Sequence, residues 1–155
     1  MLFDAVAYSP IYPCRFVSMH PSAGNTDSFK VIEDIVAAQN IVGVSQEGTT
    51  GFPMTTTNDM GVTAPTAAAL PGQNIKVFGV GEQCLIELAG GDLGTVLTVN
   101  AGDAIKANAT TDGKGVVATL ATASQQFIGG IAMQYGVSGE KIRMLVMPGI
   151  VNNGT

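Results

Sequence analysis

The feature that most constrains this chain is the stretch from Gly81 to Gly149, where short apolar runs alternate with turns rich in Gly, Asp and Asn. The runs GEQCLIELAGG, GTVLTVNAGDAIKANATTDGKGVVATL, FIGGIAMQYG and SGEKIRMLVMPG contain few charged side chains and show no helical period. Runs of this kind are typical of strands in a closed β domain. The sequence therefore predicts an all-β fold, a compact β-barrel or β-sandwich.

The turns between these runs carry the residues that hairpins require. Asp112-Gly113 separates KANATT from KGVVATL, and Ser138-Gly139 separates FIGGIAMQYG from EKIRMLVM. A type I′ turn needs positive φ, which Gly adopts at no steric cost and Asp tolerates. We therefore expect two β-hairpins, the first with Gly113 in its tight turn.

The last run, IRMLVM, is apolar on both faces of the expected strand. Side chains alternate along a strand, which puts Ile142, Met144 and Val146 on one face and Arg143, Leu145 and Met147 on the other. We expect the first face to meet the core. Arg143, Leu145 and Met147 are candidate contacts with a neighbouring subunit.

The N-terminal half is harder to assign. Residues 1–13 contain Pro10 and Pro13, which cannot donate to a sheet, so we expect an extended arm that lies on another surface. A β domain over residues 14–149 follows, beginning with a short strand near Arg15, and residues 150–155 form a tail. The candidate contact residues of the arm are Phe3, Val6, Tyr8, Ile11 and Tyr12.

Residues 48–74 are rich in Thr, Ala, Gly and Pro and nearly uncharged, which predicts a long loop or insertion that either carries function or packs on a partner. Phe52 and Met54 are its candidate contact residues. The text before it, QNIVGVSQEG, resembles QFIGGIAMQYG near residue 126, and each is followed later by a Gly-Glu that opens a strand. If this is a repeat, the long segment is an insertion in the first copy.

Composition excludes several functions. The net charge of −5 and the scattered Lys and Arg argue against nucleic-acid binding. No apolar run is long enough to span a membrane, and the N-terminus lacks the basic region of a signal peptide. Charged residues make up only 12% of the chain, about half the usual share, which favours a surface that other subunits cover.

Residues for catalysis or cofactor binding are scarce. His20 is the only histidine, and no nucleophile stands near it in the sequence. One histidine and two distant cysteines do not make a zinc site. Cys14 and Cys84 are expected to be free thiols, with a bridge between them as the alternative, and Cys84 shares a strand face with Ile86 and Leu88. We expect no catalytic residues, no cofactor and no metal site.

The order of motifs in the C-terminal half resembles a known family. GE, a strand, AGDAIKA, DGK, VATLATAS, IGGIAM, SGEKIRMLV and PG follow one another as in the capsid decoration, or cement, proteins of tailed bacteriophages. The resemblance implies a β-tulip-like domain that is not an enzyme. It also implies a homotrimer, bound to the major capsid protein on the outer surface of a phage head assembled in the host cytoplasm, which clamps neighbouring capsomers. The long loop and the proline-rich N-terminus depart from the family pattern.

A second hypothesis is a β-barrel that binds a glycan or a small molecule, such as a host-facing head adhesin. Sugar-binding sites commonly use aromatic side chains for stacking, and this chain has no Trp and three Tyr. The composition therefore favours the structural role.

Overall fold

The structure is a computed structural model that describes residues 1–20, 30–33, 41–47, 68–69, 71–90, 97–108, 113–118 and 125–151, with the backbone alone at residues 30, 32 and 33. These ranges contain strands and turns but no helix, so the prediction of an all-β barrel or sandwich is confirmed. Within them no helix is long and apolar enough to cross a membrane. The strands are β1 Leu2–Ala7, β2 Phe16–Met19, β3 Lys30–Glu33, β4 Ile41–Ser45, β5 Asn74–Phe78, β6 Gln83–Glu87, β7 Thr98–Val99, β8 Ala104–Ala107, β9 Gly115–Val117, β10 Gln126–Ala132, β11 Gly136–Val137 and β12 Lys141–Val151.

Strands β1 to β5, here called the first half, form a closed barrel in the order β1-β3-β2-β4-β5. The barrel closes because β1 pairs with β3 on one side and with β5 on the other. Small and β-branched residues alternate inward along these strands and fill its centre. Its buried core consists of Ala5, Ala7, Ile11, Val17, Val31, Ala68, Ala69, Ile75 and Val77.

Strands β6 to β12, the second half, form a five-stranded sheet in the order β6-β12-β10-β8-β9, with β7 and β11 as a separate pair. The sheet curls so far that its edge strands meet at one parallel bridge, Leu88 with Gly115. The core of the second half includes Cys84, Ile86, Leu88, Val99, Ile105, Ala107, Ala132, Ile142, Met144 and Val146.

The two halves share one topology. In chain order, β1, β2, β3, β4 and β5 correspond to β6, β8, β9, β10 and β12. In each half the first strand is parallel to the third and antiparallel to the last, and every other neighbouring pair is antiparallel. The residue pairing also agrees, since Val44 faces Phe78 in the first half and Ile131 faces Leu145 in the second.

Two glycines show how closely the halves correspond. A Cβ at Gly43 would collide with the carbonyl oxygen of Phe78, and a Cβ at Gly130 with that of Leu145. Gly43 therefore lets β4 lie close to β5, and Gly130 lets β10 lie close to β12 at the corresponding place. The predicted match is confirmed in this pairing over the described residues, IVGV at 41–44 and IGGI at 128–131.

The turn before the second strand of each half gives a further correspondence. It holds Cys14 at φ +58° before β2 and Gly102 at φ +95° before β8. The left-handed region suits Gly and is uncommon for a residue with a side chain. The first half thus keeps the backbone of this turn with a cysteine in place of the glycine.

The predicted insertion is also consistent with the spacing. Gly43 and Phe78 are 35 positions apart, whereas Gly130 and Leu145 are 15 positions apart. The predicted match between Gly81-Glu82 and Gly139-Glu140 is wrong, however. Gly81-Glu82 precedes β6, which corresponds to β1, and the true counterpart of Gly139-Glu140 is Gly72-Gln73 before β5.

Three boundary predictions need correction. Residues 2–7 are not an arm but strand β1, because both prolines fall after the strand has ended and β1 gains partners on both sides. The predicted loop 48–74 ends early, since Asn74 lies in β5 and Ala68 and Ala69 are buried; residues 48–67 and 70 lie outside the described residues. The tail begins later than predicted, because β12 continues to Val151.

Candidate binding surface

The chemically reactive groups of the described residues are dispersed. No group of three or more His, Cys, Asp or Glu in these ranges is arranged to hold a metal ion. The ring of His20 stacks on Tyr8, with centroids 3.5 Å apart and an interplanar angle of 25°. The single histidine thus packs on an aromatic ring at the end of β2.

Both cysteines are buried free thiols. Burial raises the pKa of Cys14, and burial together with the nearby Glu47 carboxylate raises the pKa of Cys84 to about 12. Both thiols are therefore protonated at neutral pH. Cys84 lies on the buried face with Ile86 and Leu88, as predicted, so its role is that of a small core residue.

The two halves are joined by a half-buried cluster of charges. Glu87 on β6 accepts from Arg15, before β2, at 3.3 Å and from Lys114, before β9, at 3.3 Å. Main-chain bonds reinforce the contact: Glu87 N donates to Cys14 O at 3.0 Å and Phe16 N donates to Gly113 O at 2.8 Å. Residues 14–16 of the first half thus lie along the seam between β6 and β9.

The ring of Phe16 passes through this seam into the core of the second half. It has no exposed area, and a Cβ at Gly129 on β10 would collide with its ring atoms. The position that corresponds to Gly129 in the first half is Val42, whose side chain packs against the first core. Phe16 therefore fills a space that a side chain of β10 would otherwise occupy.

Outside this joint, the sheet of the second half presents an apolar surface that we call the β12 face. Arg143 on β12 faces Leu85 on β6, and Leu145 faces Ile131 on β10. These side chains point away from the core, because their neighbours along each strand are the buried ones. The β12 face consists of Leu85, Ile131, Met133, Arg143, Leu145 and Met147. The polar Gln83, opposite Leu145, and Lys141, two positions before Arg143, lie on the same side of the sheet.

The corresponding surface of the first half, the β1 face, consists of Leu2, Asp4, Val6 and Lys76. Asp4 and Lys76 are neighbours on β1 and β5 at the place where the second half has Leu85 and Arg143. The Lys76 ammonium lies 3.3 Å from the Asp4 carboxylate. In the first half Lys76 is thus paired with a carboxylate, whereas no carboxylate of the described residues pairs with Arg143.

The structure divides the predicted contact residues into groups. Arg143, Leu145 and Met147 lie together on the β12 face. The sequence did not predict that Leu85 and Ile131 lie beside them, because strand pairing places these two residues there. Ile11 is wrong as a surface contact, since it is fully buried, and Phe3 packs against the core of the first half. Val6 is half-buried on the β1 face, Tyr8 and Tyr12 are exposed, and Phe52 and Met54 lie outside the described residues.

The fold defines a class of all-β proteins built from two similar five-stranded units. No family model matches the chain, and no curated protein matches it. Among solved structures, it is similar to the crystal structure of the head fiber gp8.5 N base of bacteriophage phi29, with a TM-score of 0.53 and 14% sequence identity over 95% of this chain and 93% of that chain. At this identity the likeness establishes the shared fold.

Proposed function

We propose that this protein is a structural component of a bacteriophage head, a homotrimer that sits on the outer surface of the capsid and stabilises the shell by bridging capsomers. The observation that carries the proposal is the likeness, along nearly the whole chain, to the base of a phage head fiber. The resemblance of the C-terminal motifs to capsid decoration proteins supports the same role.

The surface of the molecule suits an assembled state. Large apolar side chains are exposed on both halves, among them Leu2, Val80, Met133 and Met147. Contiguous apolar area on a protein surface commonly marks a contact with another subunit. The small share of charged residues has the same explanation, because interface centres are depleted of charge.

Trimerisation strengthens attachment to a shell. Each trimer engages several capsid subunits at once, so contacts that are individually weak combine into a tight attachment. A protein used in this way acts mechanically and needs no catalytic group. Its main partners are therefore the major capsid protein and other copies of itself.

The proposal is tested by adding the purified protein to shells prepared without it. We expect the protein to sediment with the shells and to raise the temperature at which they break open. Light scattering of the free protein should give the mass of three chains. Shells that neither bind the protein nor gain heat resistance would refute the proposed role, and a stable monomer would refute the trimer.

A further inference from the structure

The comparison between the two halves points to a specific contact between copies of the chain. At corresponding positions, the first half carries an ion pair and the second half a cation beside a leucine. Arg143 is exposed. It lies opposite Leu85 on β6 and two positions before Leu145 on β12, while Lys141 lies on its other side along β12. An arginine in apolar surroundings is a common anchor of protein interfaces, because its planar guanidinium binds a carboxylate through two parallel hydrogen bonds. The β12 face is therefore suited to a partner that presents a carboxylate between apolar side chains.

The chain itself offers such a partner on its β1 face. Asp4 stands between Leu2 and Val6 on the outer side of β1, so an acid is flanked by two apolar residues. The side chains of Asp4 and Lys76 are 69% and 59% exposed, and an ion pair this exposed contributes little stability. The Asp4 carboxylate can therefore accept a second cation with little loss.

The other carboxylates whose side chains the structure describes have different partners. Three of them accept hydrogen bonds from backbone N–H groups, one pairs with the N-terminal amine, and one lies in the half-buried cluster between the halves. The backbone N–H groups donate to Glu47, Asp103 and Glu140. The N-terminal amine pairs with Glu82, and Glu87 lies in the cluster. Asp4 and Glu82 are thus the two of this set whose charged partner is exposed, and of these two Asp4 is the one that lies within a strand.

We propose that a second copy of this chain places its β1 face on the β12 face, with Asp4 of the second copy bound to Arg143. The contact is heterologous, joining two different surfaces, and repetition of such a contact closes into a ring when the rotation allows. The inference deepens the proposed trimer and rests on it. It assigns different roles to the corresponding cations, since Arg143 acts between copies and Lys76 acts within one.

Charge exchange at the two positions tests the contact. Arg143→Asp and Asp4→Arg should each raise the dissociation constant of the assembly at least about tenfold, because each places like charges opposite one another. The double variant should regain most of the lost affinity. A mixture of the two single variants should regain only part of it, because in a ring of three at least one contact joins two copies of the same variant. Lys106→Ala is the control: it removes a cation from β8 that belongs to neither face and should leave the assembly intact.

Sedimentation across the micromolar range at low and moderate salt measures these effects, and melting curves establish that each variant is folded. An Arg143→Asp variant that assembles like the unchanged protein would overturn the contact while leaving the trimer in place. A folded double variant that stays dissociated would overturn Asp4 as the partner. An unchanged protein that is monomeric at every concentration would overturn both the contact and the trimer.

Discussion

The contact between Phe16 and Gly129 gives the sharpest prediction about stability. Phe16 is fully buried, and its ring lies against the backbone of β10 where Gly129 has no side chain. In Phe16→Ala the ring is lost, and the rigid sheet around Gly129 can close the space only in part.

We expect Phe16→Ala to lose much folding free energy, because both the burial of the ring and the packing around it disappear. Truncation of a buried Phe to Ala costs about 3–5 kcal/mol of folding free energy. In a chain of this size 1 kcal/mol corresponds to about 2–4 °C, so we expect the melting temperature to fall by about 6–20 °C. Tyr135→Ala is the control, since this ring is 61% exposed and its loss should cost no more than about 0.5 kcal/mol.

A second substitution tests the mechanism as well as the magnitude. Gly129→Ala alone should destabilise the protein by about 1–3 kcal/mol, because its methyl group would overlap the Phe16 ring. In the Phe16→Ala background the same methyl group enters vacated space, so it should be neutral or stabilising. Calorimetry and urea unfolding of the unchanged protein, the two single variants and the double variant would measure the energetic coupling between positions 16 and 129. Additive effects, or a Phe16→Ala loss no larger than that of Tyr135→Ala, would refute the reasoning.

Three further predictions concern the joint between the halves and the buried thiols. Gly113→Val should destabilise the fold by at least about 1–3 kcal/mol, because the residue has φ +63° and a Cβ would lie 2.6 Å from Phe16 O; unchanged thermal unfolding would contradict this. Glu87→Gln should cost about 2 kcal/mol, because two half-buried cations lose their carboxylate, and an unchanged urea midpoint would rule out a stabilising role. The raised pKa of Cys84, about 12, means that the unfolded thiol loses its proton first, so the free energy of unfolding should fall between about pH 8.5 and pH 12 by up to about 1.4 kcal/mol per pH unit. Cys84→Ala should reduce that slope measurably in urea unfolding at about pH 8 and about pH 10, and an identical slope would exclude the thiol as its cause.

The sequence was most informative where local pattern decides the structure. The alternation along IRMLVM is observed, with Ile142, Met144 and Val146 buried, because a strand exposes every second side chain. Gly113 and Gly139 both have positive φ, as turn chemistry predicts. These features depend on neighbours in the chain and need no knowledge of the fold.

Long-range pairing could not be predicted in the same way. The prolines of residues 1–13 predict an arm, yet strand β1 pairs with β5, and Leu2 lies opposite Phe78, far along the chain. The cluster of Arg15, Glu87 and Lys114 likewise joins three distant segments. Nothing in the local sequence marks these partners.

The correspondence between the halves lies between these cases. The sequence alone shows it in one pair of corresponding strands, β4 and β10, where the close approach of a neighbouring strand requires glycine at positions 43 and 130. Elsewhere corresponding positions carry different residues, such as Phe16 and Ala104 or Asp4 and Leu85, although the backbone pairing is the same. The glycines agree because the backbone of both halves requires them. At the other positions the side chains differ because the two halves have different surroundings.

Electron cryomicroscopy of phage particles purified from infected cells that produce this protein tests the central claim most directly. The account predicts threefold features on the outer surface of the head, with two five-stranded units for each chain and contacts to more than one capsid subunit. Particles whose heads bear no density for this fold, although the protein is present in the infected cell, would contradict the account.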